Sequence, residues 1–262
     1  MNNLIQNYEI ILKELTNTCG HITTSKQIRV PKLSDLELVA LTVTAEYMSI
    51  NSELQLFRML SGTVLENKIE RSVFNKRRRS LFPYFEKIRI VLSGKFSEFT
   101  DVFVVDYTPV EICKISRALR SEICSTEQIR PAFGYCAAQK TRYFGFKLHA
   151  VCDKNGIFHS YDFSPANIHD VNYLKDIKEN FKNCELIGDR GYISKELQVD
   201  LFNYSNINLS VPMRKNQLDF VKFSYTKSKI RKRIETAFSQ LAGQFTINVN
   251  FAKSFQGLAT RI

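Results

Sequence analysis

The sequence predicts a mixed α/β fold: a five-stranded sheet with flanking helices, preceded by an all-helical amino-terminal region. Three observations point there. Apolar residues recur at helical spacing through the first 95 positions. Beyond residue 100 short apolar runs take over, of strand length and bounded by turn residues. Their order is strand, hairpin pair, helix, strand, helix, strand, helix, which suits a mixed sheet rather than an all-parallel one.

The first helix is carried by Leu4, Ile5, Tyr8, Ile11, Leu12 and Leu15. Ser34 with Glu37 three residues on marks a capped helix start that continues through Tyr47. Ser52 and Glu53 open another, with Leu54, Leu56, Phe57 and Leu60, and a gap follows near Gly62. Ile69 to Leu92 reads as one helix holding the cluster Lys76-Arg77-Arg78-Arg79. Residues 1–95 are thus expected to be a helical DNA-binding region, of which a helix-turn-helix variant is one form, with Arg77, Arg78 and Arg79 on phosphate.

Val102 to Asp106 is the first strand, and 107–142 reads as a long connection. Tyr143 to Val151 and Ile157 to Phe163 form a hairpin around Asp153-Lys154-Asn155-Gly156. Ile168 to Phe181 is a helix, Glu185 to Asp189 a strand, Ile193 to Phe202 a helix and Ile207 to Val211 the fifth strand. A basic stretch from Arg214 leads to a last helix around Glu235. The chain stops at Gly257-Leu258-Ala259-Thr260-Arg261-Ile262 without cap or polar tail, so the second domain, 100–262, is expected to be truncated at its carboxyl end.

A net charge of +11 and a pI near 9.3 point to a polyanionic partner, most often nucleic acid. No apolar run reaches the ~18–20 residues that a membrane span needs, and no export signal is visible, so a cytoplasmic protein without membrane partners is expected. The six cysteines show no paired spacing and read as reduced, buried thiols.

Three acids stand where chemistry would use them. Asp106 ends Val102-Phe103-Val104-Val105, Asp189 ends Leu186-Ile187-Gly188, and Glu235 sits in a helical pattern. Acids at the carboxyl ends of buried strands emerge at a sheet edge, where ligands of open α/β sheets bind. If the first and fourth strands are neighbours, both aspartates emerge together and the last helix offers Glu235. Their mutual repulsion calls for cations, and an all-oxygen set suits two Mg²⁺ or Mn²⁺ ions. Asp153 fits the hairpin turn better, Asp170 the first turn of a helix, and Glu185 the wrong end of its strand. His149 reads as a buried, hydrogen-bonded histidine and His169 as a polar residue opening a helix.

The stretch from Arg214 to Arg233 carries eight basic residues against one acid, Asp219. Arg214, Lys215, Lys229, Arg231, Lys232 and Arg233 are expected on DNA, together with Lys147 and Arg190. A solvated charged face is the alternative.

Residues 100–262 resemble the DDE transposases of bacterial insertion sequences, which have a ribonuclease-H-like core. The matching pieces are Val104-Val105-Asp106 followed by Pro109; Tyr143-Phe144-Gly145-Phe146-Lys147-Leu148-His149 with Ser164-Pro165-Ala166-Asn167-Ile168-His169-Asp170; Gly188-Asp189-Arg190-Gly191-Tyr192; and Arg233-Ile234-Glu235-Thr236-Ala237-Phe238-Ser239-Gln240-Leu241. Tyr107 departs from the pattern, standing where a small serine is commoner. The resemblance implies that Asp106, Asp189 and Glu235 form the metal-binding triad, with Asp106 bridging both ions. It implies cleavage at transposon ends, strand transfer to target DNA, and a homodimer in the DNA complex. Two alternatives share these features: a ribonuclease-H-like nuclease without strand transfer, and an inactive truncated DNA-binding remnant.

Overall fold

The computed structural model describes residues 3–24, 30–96, 100–214, 216, 220–249 and 252–262. Lys215 and Asp219 lie outside them. The chain forms two compact units: one of 1–95, 241–247 and 256–262, the other of 96–240 and 248–255. Among the described residues no helix is long and apolar enough to cross a membrane.

The first unit is built on α1 (Asn3–Cys19), α2 (Asp35–Tyr47), α3 (Glu53–Leu60), α4 (Arg71–Ser80) and α5 (Phe82–Phe96). Ser34 and Glu37 form the expected capping box on α2: the Glu37 N–H donates to Ser34 Oγ at 3.2 Å and the Ser34 N–H to Glu37 Oε2 at 2.7 Å. The helix expected over 69–92 is two helices. Pro83 has no N–H to continue the ladder and its fixed φ suits a first turn, so α4 caps at Leu81 and α5 begins at Phe82. Leu4, Leu38, Leu41, Leu60 and Phe74 anchor the apolar core. Arg261 pairs with Glu46 and donates to Asn51 Oδ1, which also accepts Thr246 Oγ1 at 2.6 Å. These bonds, remote in sequence, tie 241–247 and 256–262 into the helical unit.

The second unit holds β1 (Val102–Cys113), β2 (Ala132–Cys136), β3 (Thr141–Asp153), β4 (Phe158–Pro165), α6 (Leu174–Asn180), β5 (Cys184–Ile187), α7 (Lys195–Ser205), β6 (Ile207–Ser210) and α8 (Tyr225–Gly243, as far as Gln240). A short helix, α9 (Phe255–Arg261), follows. The five expected strands are all present. The segment 107–142 holds more than a connection: it carries the second half of β1 and the additional strand β2.

The sheet order is β2-β3-β1-β5-β6. β1 is antiparallel to β3 and parallel to β5, and β5 is parallel to β6. β2 and β4 pair in succession along the remaining edge of β3, over 141–145 and 146–152. Pro109 is tolerated in β1 because β5 pairs only as far as Val104, so the strand is single-sided beyond that point. Phe103, Val105, Val151 and Leu186 pack with Tyr173, Leu174, Ile177, Tyr192 and Leu201 on one face. Alternation turns Val104 and Asp106 to the other face, where α8 lies with Ile234, Ala237 and Phe238 buried.

β1 and β3 shift register at a bulge between Glu111 and Cys113. Gly145 sits opposite it, and a Cβ there would lie 2.1 Å from the Val110 carbonyl oxygen. Because the clash is with backbone, Gly145→Ala is expected to destabilise the sheet unit by about 1–3 kcal/mol, read as a lower urea midpoint.

Candidate active site

The register Val104↔Ile187 between the parallel strands β1 and β5 sets the site. Two residues further on, each chain leaves an aspartate: Asp106 and Asp189. Asp106 Oδ1 accepts the Tyr107 N–H at 2.8 Å. Asp189 caps a short 3-10 turn, Arg190–Tyr192, accepting the Gly191 N–H at 2.7 Å. The site aspartate is therefore also a turn former.

Glu235 comes from α8. Ile234, Ala237 and Phe238 bury one stripe of this helix, and Phe238 stacks on Phe158 of β4 at 6.0 Å. Arg233 Nε donates to the Asn155 carbonyl at the β3–β4 turn, 2.9 Å away. The turn itself is held by Asp153, whose Oδ1 accepts the N–H groups of Asn155 (2.8 Å) and Ile157 (3.0 Å). Lys227 pairs with Glu185. So fixed, α8 presents Arg231 and Glu235 toward Asp106: Arg231 reaches Glu235 Oε1 at 2.7 Å and Asp106 Oδ2 at 3.6 Å.

The electrostatics follow. Burial, then the charge of Asp189, pushes Asp106 up to about 7; the Tyr107 N–H and Arg231 act against this, and Glu235 adds to it. Burial also raises Asp189, opposed by the Gly191 N–H; Asp170 raises it further, and Arg231 and Lys147 lower it. Among the described residues no three His, Cys, Asp or Glu side chains stand close enough to hold one ion as they are. Arg231 instead bridges Asp106 and Glu235. The acids nevertheless fit hard divalent cations by donor chemistry, being all oxygen and under-compensated in charge.

The basic residues divide. Arg190, Arg214, Lys229 and Lys232 are exposed on the sheet unit. Arg231 is at the acids and Arg233 on the hairpin turn. In the helical unit Arg79 is exposed, whereas Arg77 pairs with Asp35 at 2.6 Å and Arg78 with Glu53 at 3.2 Å. Lys147, expected on DNA, is instead buried, with Nζ on Asp170 Oδ1 at 2.6 Å. Asp170 was legible only as a first-turn acid. It does open a 3-10 turn (Asp170–Tyr173), but its charge also acts on Asp189. The one available signal was a lysine at an inward position of an apolar strand.

His149 is 2% exposed, with Nε2 2.8 Å from Ser164 Oγ and its ring stacked on Tyr173. Burial, with Lys147 nearby, lowers its pKa to about 3, so it is a neutral core histidine. His169 Nδ1 accepts the Val171 N–H, capping the 3-10 turn as expected.

A family model described as Transposase DDE domain matches residues 97–262. The chain belongs to the DDE transposase family. Comparison with curated proteins and comparison with solved structures each gave no significant match. The family assigns a nuclease or transposase kind of enzyme acting on DNA, and the transposase sheet has the ribonuclease-H-like mixed arrangement expected from the sequence.

Folded Asp106 keeps its proton up to about 7, while the unfolded carboxyl loses it near 3.8. Between those values the folded transposase binds the extra proton, so this group makes the metal-free protein less stable as pH rises through that window. Asp106→Asn is expected to stabilise the metal-free protein by roughly 1–3 kcal/mol above pH 7 and to change little below pH 4, measured by thermal unfolding at both.

Proposed function

We propose that this protein is the transposase of a bacterial insertion sequence, cutting at transposon ends and joining the freed ends to target DNA. The observation that carries the reading is the pairing of Val104 with Ile187, which brings two aspartates out level on adjacent parallel strands beside a helix bearing Glu235. Asp106, Asp189 and Glu235 would hold two Mg²⁺ or Mn²⁺ ions. When bound, such ions lower the pKa of a water or a DNA 3′-hydroxyl and neutralise charge on the leaving oxygen.

The chain's own groups do the rest. Arg231 pairs with both Asp106 and Glu235 and carries positive charge to the scissile phosphate. Lys229 and Lys232, exposed on the same helix, bind the DNA backbone through phosphate. Arg190 and Arg214 extend that basic surface on the sheet unit, and Arg79 offers a further contact in the helical unit. No covalent enzyme intermediate is required. Transposition needs two ends held together, so the working form is a homodimer on DNA, acting in the cytoplasm.

Separate replacement of Asp106, Asp189 and Glu235 by Ala is expected to cut strand cleavage about a thousandfold or more, some 4 kcal/mol of barrier, with end binding changed only a few-fold. An assay with a labelled transposon end reads both cleavage and joining. Cleavage that survives Asp189→Ala overturns the site, and cleavage without joining leaves a nuclease. The DNA surface is read separately: Lys229→Ala and Lys232→Ala should each weaken binding across unrelated sequences and flatten the plot of log affinity against log salt by about one unit.

A further inference from the structure

Lys147 is 7% exposed, and an ammonium at that depth requires a partner. Its Nζ donates to Asp170 Oδ1 at 2.6 Å and to the Ile168 carbonyl at 2.7 Å, and lies 4.6 Å from the Tyr107 ring centroid. The other oxygen of Asp170 faces Gly191. A Cβ built on that glycine would lie 2.8 Å from Asp170 Oδ2 and 2.9 Å from Asp189 Oδ1. Two carboxylates therefore border one glycine Cα, and one of them belongs to the triad. Asp189 Oδ1 is also held by the Gly191 N–H at 2.7 Å.

A buried ion pair is seldom the most stable filling for a core, and an apolar pair of similar size often does as well or better. This one sits in a strand whose other inward positions are mostly apolar, at the point where β3 passes beside the Asp189 turn. Removing either partner would change the field that Asp189 feels. With both in place, Asp170 and Asp189 share the space beside Gly191, and Lys147 balances the two negative charges.

We propose that Lys147 and Asp170 are positioning residues for Asp189: a fixed ion pair, separated from it by the side-chain-free Cα of Gly191, that sets the orientation of the Asp189 carboxylate for metal binding. This rests on the metal-binding reading of the triad. Such outer partners characteristically change metal affinity by about 10–100-fold.

The test is Mn²⁺ titration by calorimetry on the full metal-free chain, comparing the unsubstituted protein with Asp170→Asn, Lys147→Met, the double variant and Asp189→Ala. Positioning predicts that both single changes weaken Mn²⁺ binding at least tenfold, and that the double variant is no weaker than the worse single. A merely electrostatic influence predicts opposite shifts, weaker for Asp170→Asn and tighter for Lys147→Met. A merely structural pair predicts lower thermal midpoints with unchanged Mn²⁺ affinity. Either result overturns the proposal. If Lys147→Met alone does not fold, the double variant, which buries no lone charge, carries the comparison with Asp170→Asn. No Mn²⁺ binding by the unsubstituted protein, or binding that survives Asp189→Ala, overturns the metal-site reading instead.

Discussion

Two aspartates held level on neighbouring parallel strands repel each other, and much of the second unit can be understood as an answer to that repulsion. The register of β1 on β5 leaves Asp106 and Asp189 no freedom to separate along the strands. Burial in the sheet removes the water that would screen them. What remains is compensation by fixed positive groups: Arg231 from α8 on one side, Lys147 from β3 on the other, and the backbone N–H groups of Tyr107 and Gly191 between.

The basic residues consequently do more than attract DNA. Of the basic residues in the first half of α8, Lys227 pairs with Glu185, Arg231 with two of the acids, and Arg233 with the hairpin turn, while Lys229 and Lys232 remain exposed. A helix orients Glu235 only if the helix is docked, and the apolar stripe of Ile234, Ala237 and Phe238 is short. Charged contacts at its sides supply the rest of the orientation. The same division holds in α4, where Arg77 and Arg78 are tied to acids of α2 and α3 and Arg79 is exposed.

Most of the architecture was readable because the signals were local. The Ser34–Glu37 box, the Asp153–Gly156 turn and the apolar runs ending at Asp106 and Asp189 each announce themselves within a few residues. What escaped was set by distant partners. β2 is five residues with a central glycine, and only pairing with β3 makes it a strand. Lys147 reads as a surface cation until Asp170, 23 residues on, is seen folded against it. The break between α4 and α5 had a local sign in Pro83, but the apolar spacing on both sides ran through it. That 241–247 and 256–262 belong with the helical unit rests on Arg261, Thr246 and Asn51, contacts that no periodicity encodes.

The β3–β4 hairpin tip has one more consequence. Reversals of this kind ordinarily absorb extra residues without harm, since their outer surface touches only solvent. Here Gly156 leaves room where a Cβ would lie 2.7 Å from Arg233 Nε, and the neighbouring Asn155 carbonyl is the handle by which that arginine grips the bend. Lengthening the loop would loosen a clamp two residues from Glu235. A turn that looks like the natural place to splice in a tag is thus mechanically coupled to the helix that carries Glu235.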